Sequence, residues 1–219
     1  MFYDLTMPLF PGQMVWPGDP AVEITPLSAT CAGEPTNISV LKVGTHSGTH
    51  IDAPRHVLAE EEAAGVDRIL PEKLIGPAQV LDLTSSCPES LIRPEAIQAA
   101  GFCPHIPRVL FKTGNSYRYN DQNISGNQKF HQDYVSLAME SAEWLTQKGV
   151  VLIGIDCLSI ESFDTKDYCL HRFLLSHGVV VVEGIVLKSV PPGIYELFCA
   201  PLKIVKGDGA PARVFLRTL

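Results

Sequence analysis

The 219-residue chain predicts one α/β or α+β domain spanning 1–219, with a mixed central β-sheet and flanking helices. Two observations carry that expectation. Apolar, β-branched runs alternate with amphipathic stretches in the second half, whereas the first half reads as strand and loop. Hydrophobic residues make up 46% of the chain and charged ones 19%, with no polar low-complexity tract and no internal repeat, so there is enough apolar side chain to bury a core.

Residues 2–6 alternate and stop at Pro8, as a short strand does. The segment 11–20, PGQMVWPGDP, holds three prolines and two glycines, which exclude regular structure; its Trp16 either anchors the loop to the core or faces a site. Segments 22–25 and 37–45 read as strands, the second running toward a cluster of histidines. Residues 59–64 are acidic and read as a solvated turn, 71–74 as a short amphipathic turn, and Gly76 and Pro77 punctuate the chain before an apolar strand at 78–83.

A helix is expected over 93–101, with Pro94 near its start and Gly101 as its stop, followed by a strand at 108–113. The polar segment 114–129 has no apolar periodicity, and a loop of that length reads as a lid or an oligomer contact; its Tyr117, Arg118 and Tyr119 either reach a substrate or face solvent. Residues 136–148 predict an amphipathic helix, with Leu137, Trp144 and Leu145 on the apolar face and Gly149 as the stop. The run 150–155, ended by Asp156, reads as a strand covered on both faces. A helical turn or two at 171–177 leads into a second buried strand, 179–183, and strands near 195–199 and 213–216 finish the chain.

The net charge of -7, with no cluster of lysine and arginine, argues against a nucleic-acid partner. The first residues lack a basic region followed by a long apolar run, so neither a signal peptide nor a membrane span is expected, and the location expected is cytoplasmic. Six cysteines are scattered without a Cys-x-x-Cys pair, which points to reduced thiols and neither a disulfide framework nor a thiolate zinc site.

The densest chemistry lies in the stretch 43–56, VGTHSGTHIDAPRH, where His46, His50, Asp52 and His56 fall within eleven residues. On an extended chain His46, His50 and Asp52 share a face, and Gly48 between them leaves room for an ion. Two glycines, two threonines and Pro54 disfavour the helical alternative, in which His46 and His50 would pair at a spacing of four. Glu183 ends four consecutive valines where the chain leaves a dry core, a place that tolerates a charge only when it is paired or bound to metal. His171 lies twelve residues earlier, across a helical turn and a strand, so both side chains can return to one end of the sheet and form a second metal position with Asp52 as a bridge.

The eleven residues from His46 to His56 match the pattern His-x-Gly-Thr-His-x-Asp-x-Pro-x-His at all seven fixed positions. In this the chain resembles the cyclase family of metal-dependent hydrolases, the family of bacterial kynurenine formamidases and isatin hydrolases. Segments 16–20 and 152–156 resemble that family's N-terminal loop and central strand, so the likeness spreads over nearly the whole chain. The resemblance implies a swivelling β/β/α-like domain and two zinc ions per subunit, a site whose donors also suit manganese. It implies that one ion is held by His46, His50 and Asp52, and the other by Asp52, His171 and Glu183. It makes His56 the proton donor and acceptor and Trp16 a substrate contact. A homodimer or larger assembly is implied as well.

The expected activity is hydrolysis of an aryl formamide by metal-activated water, with N-formyl-L-kynurenine as the expected substrate in a step of tryptophan catabolism. Two other readings stand beside it: ring opening of a cyclic amide or lactone by the same machinery, and a non-catalytic metal-binding protein of the same fold. The chain departs from the formamidase pattern at 157–161, which reads CLSIE where a proline-serine-x-aspartate run is usual, and at Gly184, where an asparagine is expected. Its polar loop at 114–129 is also longer than usual, so these departures bear on the lining of the pocket.

Overall fold

The computed structural model describes residues 1–59, 63–87, 90–118 and 128–219. Its first half contains β1 (Phe2–Asp4), β2 (Glu23–Ser28), β3 (Ile38–Lys42), β4 (His50–Asp52), α1 (Pro71–Leu74), β5 (Ile75–Asp82), β6 (Leu91–Ile92) and α2 (Pro94–Ala99). The second half adds β7 (Arg108–Lys112), β8 (Ser136–Leu137), α3 (Met139–Gln147), β9 (Leu152–Ile155), α4 (Cys169–Ser176), β10 (Val180–Glu183), β11 (Gly193–Pro201) and β12 (Gly209–Thr218).

Eight strands pair in the order β1-β12-β11-β5-β7-β9-β10-β4, and β4 also pairs with β12, so seven of them close into a ring. Pairing is parallel along β5-β7-β9-β10 and antiparallel where β4, β11 and β12 complete the circuit. The expected mixed α/β architecture is borne out, with the sheet rolled into a barrel.

Strand alternation sorts the side chains into two cores. Ile51, Val80, Leu110, Leu152, Val180, Val182, Leu197 and Val214 belong to one cluster, drawn from all seven strands of the ring, which fills its interior. Their neighbours Val109, Phe111, Ile153, Ile155 and Val181 point outward and pack against Ile97 of α2, Ala142 and Leu145 of α3, and Leu170, Leu174 and Leu175 of α4. Both β9 and β10 are buried along their whole length, as their apolar runs predict. No helix among the described residues is long and apolar enough to cross a membrane.

Several boundaries differ from expectation for local reasons. The stretch 43–56 is not one strand: Gly48 takes a left-handed φ of 64°, which turns the chain, and only His50–Asp52 pair as β4. His56 follows in a 3-10 turn, Pro54–His56. Gly76 and Pro77 lie inside β5, not before it; they pair with β11 while β7 joins only from Gln79 onward, so the N–H that Pro77 lacks falls on a stretch paired along one edge. The helix expected from residue 136 starts at Met139, because Ser136 and Leu137 pair with β6 instead. The polar loop opens with a 3-10 turn, Gly114–Arg118, and residues 119–127 lie outside the described residues, as do 60–62 of the acidic patch.

Two loops that carry site residues touch at Gly184. Its φ is +66°, and a Cβ built there would stand 2.3 Å from the carbonyl oxygen of Gly48. Thr49 Oγ1 donates to the Gly184 carbonyl at 2.6 Å, and the Gly184 N–H donates to Cys157 O at 2.6 Å. Glycine in place of the expected asparagine is therefore required by contact as well as by backbone conformation. Gly184→Ala is expected to lose about 2 kcal/mol or more of unfolding free energy. Gly101→Ala, left-handed too but with open space around it, is expected to lose about 1 kcal/mol. Equal losses in chemical denaturation would contradict the close approach.

Candidate metal centre

The antiparallel register of β10 with β4 sets Glu183 opposite His50 and Val181 opposite Asp52. Because Ile51 and Val182 point into the barrel, His50, Asp52 and Glu183 all project from its outer face. Helix α4 packs against β10 on that face and brings His171 down onto the same point. His46 arrives from the turn before β4, so the shared-face expectation holds for His50 and Asp52 and not for His46.

Asp52 lies between the imidazoles. Its Oδ1 is 2.8 Å from His46 Nδ1 and 3.6 Å from His50 Nε2, and its Oδ2 is 3.6 Å from His171 Nε2. Glu183 stands opposite, with Oε2 3.2 Å from His50 Nε2 and Oε1 3.2 Å from His171 Nε2. The far side of each of these rings is engaged: His50 Nδ1–H donates to Gly48 O at 2.9 Å and His171 Nδ1–H to Glu161 Oε2 at 2.6 Å. That network assigns the tautomers and turns both Nε2 atoms toward the carboxylates. His50, Asp52, His171, Glu183 and Glu161 are each no more than 4% exposed.

Two carboxylates and three imidazoles converging in a dry site need positive charge between them, since a buried carboxylate is tolerated only when paired or ligated. Among the described residues Asp52 Oδ2 is buried without a hydrogen-bond partner, which leaves it free for one. Imidazole and carboxylate donors at this spacing fit a divalent metal ion. Two such triads, His46–Asp52–His56 and His50–Asp52–Glu183, have donor atoms within 4.8 Å of one another. A third, Glu161–Asp167–Cys169, is already committed through Glu161 to His171.

Charge is tightly coupled across the cluster. Burial works to lower the His46 pKa, but hydrogen bonds to Asp208 and Asp52 outweigh it and raise the value to about 10. His171 behaves alike: burial opposes the proton, and hydrogen bonds to Glu161 and Glu183 raise the pKa to about 10. Burial disfavours the charged form of Asp52, yet the His46 hydrogen bond and the surrounding imidazoles hold its pKa far below the usual carboxylate range. His56 shifts the other way: burial first, then the neighbouring His46 and His171, lower it against the pull of Asp52. Its ring lies 4.0 Å from that of His46 and 5.9 Å from that of His171, half-buried, so it is an uncharged base beside a cationic cluster.

A pocket of about 130 Å³ opens above these groups, lined by His46, His50, His56, His171 and Glu183 together with Trp16, Asp19, Leu158, Ser159 and Tyr168. Trp16 satisfies both of its sequence readings, because it packs on Phe130 at 4.9 Å and Phe163 at 5.3 Å while lining the pocket. Arg118 is instead tied to Asp133 at 2.8 Å and Tyr117 is 65% exposed; neither lines the pocket, and Tyr119 lies outside the described residues.

Three contributors escaped the sequence reading. Glu161 falls in the segment 157–161, whose composition departs from the family pattern and hides a carboxylate that turns back toward His171. Asp208 reaches His46 Nε2 at 3.3 Å from just before β12, which the closing pair Gly209–Asp52 brings alongside. Tyr168 is held at φ 51° at the entrance to α4, a left-handed conformation uncommon for a non-glycine residue and without a sequence signal.

A closed mixed barrel with a buried histidine–carboxylate cluster beneath a pocket defines a metal-site protein of enzyme type. The chain belongs to the Cyclase family, whose model, described as "Putative cyclase", matches residues 3–162. It is 38% identical to the kynurenine formamidase of Salinibacter ruber over 216 residues, 98% of this chain and 96% of that protein. A solved structure of a "potential metal-dependent hydrolase with cyclase activity" superposes with a TM-score of 0.80 at 34% identity, covering 99% of this chain and 96% of the other. An isatin hydrolase bound to the product analogue thioisatinate superposes with a TM-score of 0.82 over 98% of this chain and 91% of its own, at 24% identity, a likeness of fold. The resemblance expected from the 46–56 motif is thus borne out over the full length.

A metal ion held by this cluster would compete with protons for the same nitrogens. Zinc added to chelator-treated protein at about pH 7.5 is expected to displace about two protons, from His46 and His171, both of which hold theirs at that pH. Titration calorimetry in buffers of different ionisation enthalpy measures the number, and a binding heat independent of buffer would contradict it.

Proposed function

We propose that this chain is a metal-dependent amide hydrolase of the arylformamidase type, converting N-formyl-L-kynurenine to kynurenine and formate. The observation that carries the reading is Asp52, a buried carboxylate shared among imidazoles with one oxygen left without a hydrogen-bond partner among the described residues, beneath an aromatic-walled pocket. The full-length likeness to a kynurenine formamidase supports the choice of substrate.

In this reading one ion is held by His46, His50 and Asp52, a second by Asp52, His171 and Glu183, and both are zinc, with manganese as the alternative that the same donors accept. Bound there, a divalent cation supplies Lewis acidity, activating water at neutral pH and polarising the amide carbonyl. The protein's own part is positioning and proton transfer. His56, uncharged and beside the cluster, accepts the proton released as water adds to the formyl carbon. It returns that proton to the amide nitrogen as the C–N bond breaks, so that the aryl group leaves as a neutral amine; formic acid departs with both the formyl oxygen and the water oxygen and ionises to formate, giving the second water proton to solvent. Trp16, braced by Phe130 and Phe163, offers an aromatic wall against which the aryl ring is oriented.

The reading takes residues 1–219 as one catalytic domain, a small aromatic amide as the partner, a homo-oligomer as the assembly and the cytoplasm as the setting. The β2–β3 hairpin supports an assembly, since Ile24, Leu27, Ile38, Val40 and Leu41 are exposed on it. Six free cysteines suit a reducing compartment.

The test compares N-formylkynurenine with isatin on zinc-loaded wild type and His56→Ala, with metal analysis of both proteins. The expected results are faster turnover of N-formylkynurenine and a loss of about 10²–10⁴-fold in kcat for the variant at unchanged zinc content. Preference for isatin would transfer the activity to ring opening, and turnover of neither would leave a binding protein. Loss of zinc from His56→Ala would make His56 a ligand, as its nearness to His46 and Asp52 allows.

A further inference from the structure

His50 and His171 meet the cluster through the same atom but are backed differently. Behind His50 is a neutral carbonyl, Gly48 O at 2.9 Å; behind His171 is a carboxylate, Glu161 Oε2 at 2.6 Å. Glu161 is itself 4% exposed and held from several sides. Its Oε1 accepts from the Leu170 N–H at 3.1 Å and from Cys169 Sγ at 3.5 Å, and its Oε2 accepts from the His171 N–H at 3.3 Å. Its backbone is pinned as well, the N–H by Ser159 Oγ at 3.2 Å and the carbonyl by the Tyr134 hydroxyl at 2.5 Å.

The first turn of α4 has backbone N–H groups without a partner inside the helix, and its N-cap, Tyr168, supplies no side-chain bond to them. Glu161 fills that role from another segment of the chain and, with the same carboxylate, grips the ring that the helix carries. We infer that Glu161 is a positioning residue: it ties the start of α4 to the His171 ring, holds that ring in the Nδ1–H tautomer, and makes its Nε2 a stronger electron donor than that of His50. The inference rests on the metal site proposed above.

The physical basis is the usual action of a carboxylate behind a ligating histidine. It fixes ring orientation and tautomer and raises basicity, and its removal weakens metal affinity by about 10–100-fold. A carbonyl fixes the tautomer with less gain in basicity, because a charge-assisted hydrogen bond is roughly twice as strong as a neutral one. Consequently the two metal positions are unequal in their dependence on Glu161: only the one that includes His171 responds to its replacement.

The experiment uses zinc-loaded wild type and Glu161→Gln, which preserves shape while removing the charge. Histidine-labelled protein is observed by NMR, and zinc affinity is measured by competition with a chelator. In wild type, His171 is expected to show a downfield, slowly exchanging Nδ1–H and a zinc-bound Nε2. In Glu161→Gln that proton is expected to exchange quickly, and one of the two zinc steps to weaken about 10–100-fold, with the His50 Nδ1–H unchanged as an internal reference. Equal zinc affinity in the two proteins, or equal weakening of both steps, would overturn the inference. Should the variant fail to fold, the wild-type spectrum still decides, because a His171 ring bound through Nδ1 or exchanging as freely as a solvent-exposed imidazole would overturn it alone. Wild type that binds no zinc would instead overturn the proposed metal site, a separately recognisable result.

Discussion

The structure turns on the burial of Asp52. A carboxylate withdrawn from water must be compensated, and here compensation comes from three imidazoles facing its two oxygens with Glu183 standing opposite. Each of those groups comes from a different part of the fold: a turn, two strands and a helix. The ring of strands closes where β12 meets β4, so the same three residues that complete the barrel also carry His50 and Asp52.

Several features that would otherwise cost stability make sense as supports for this arrangement. The left-handed turns at Gly48 and Gly184 let two loops approach so closely that no side chain fits between them, and this places His50 beside Glu183. Tyr168 is held in an unfavourable backbone conformation at the point where α4 must start if His171 is to face Asp52. Glu161 offsets part of that by capping the helix from outside.

Much of this was legible in the residues. The apolar runs at 150–155 and 179–183 became the doubly covered strands β9 and β10, because uninterrupted β-branched residues suit a strand buried on both faces. The cluster from His46 to His56 and the pair His171 and Glu183 proved to be neighbours, since one short helix and one strand return the chain to the end it left. What stayed hidden depends on packing between distant segments. Even spacing predicted one face for His46, His50 and Asp52, but a single φ at Gly48 broke the strand and His46 converged by another route. The two-residue strands β6 and β8 are too short for any pattern, and Glu161 and Asp208 have meaning only through the histidines that they touch.

The measurement that bears most directly on a buried cluster built around a cation is the melting temperature of the protein stripped with a chelator and then titrated with zinc. Stripping is predicted to lower it and zinc to restore it in a saturable way, because an ion that binds only the folded state stabilises it by mass action. A melting temperature that ignores both treatments would contradict the view that the Asp52 cluster is built for a metal ion.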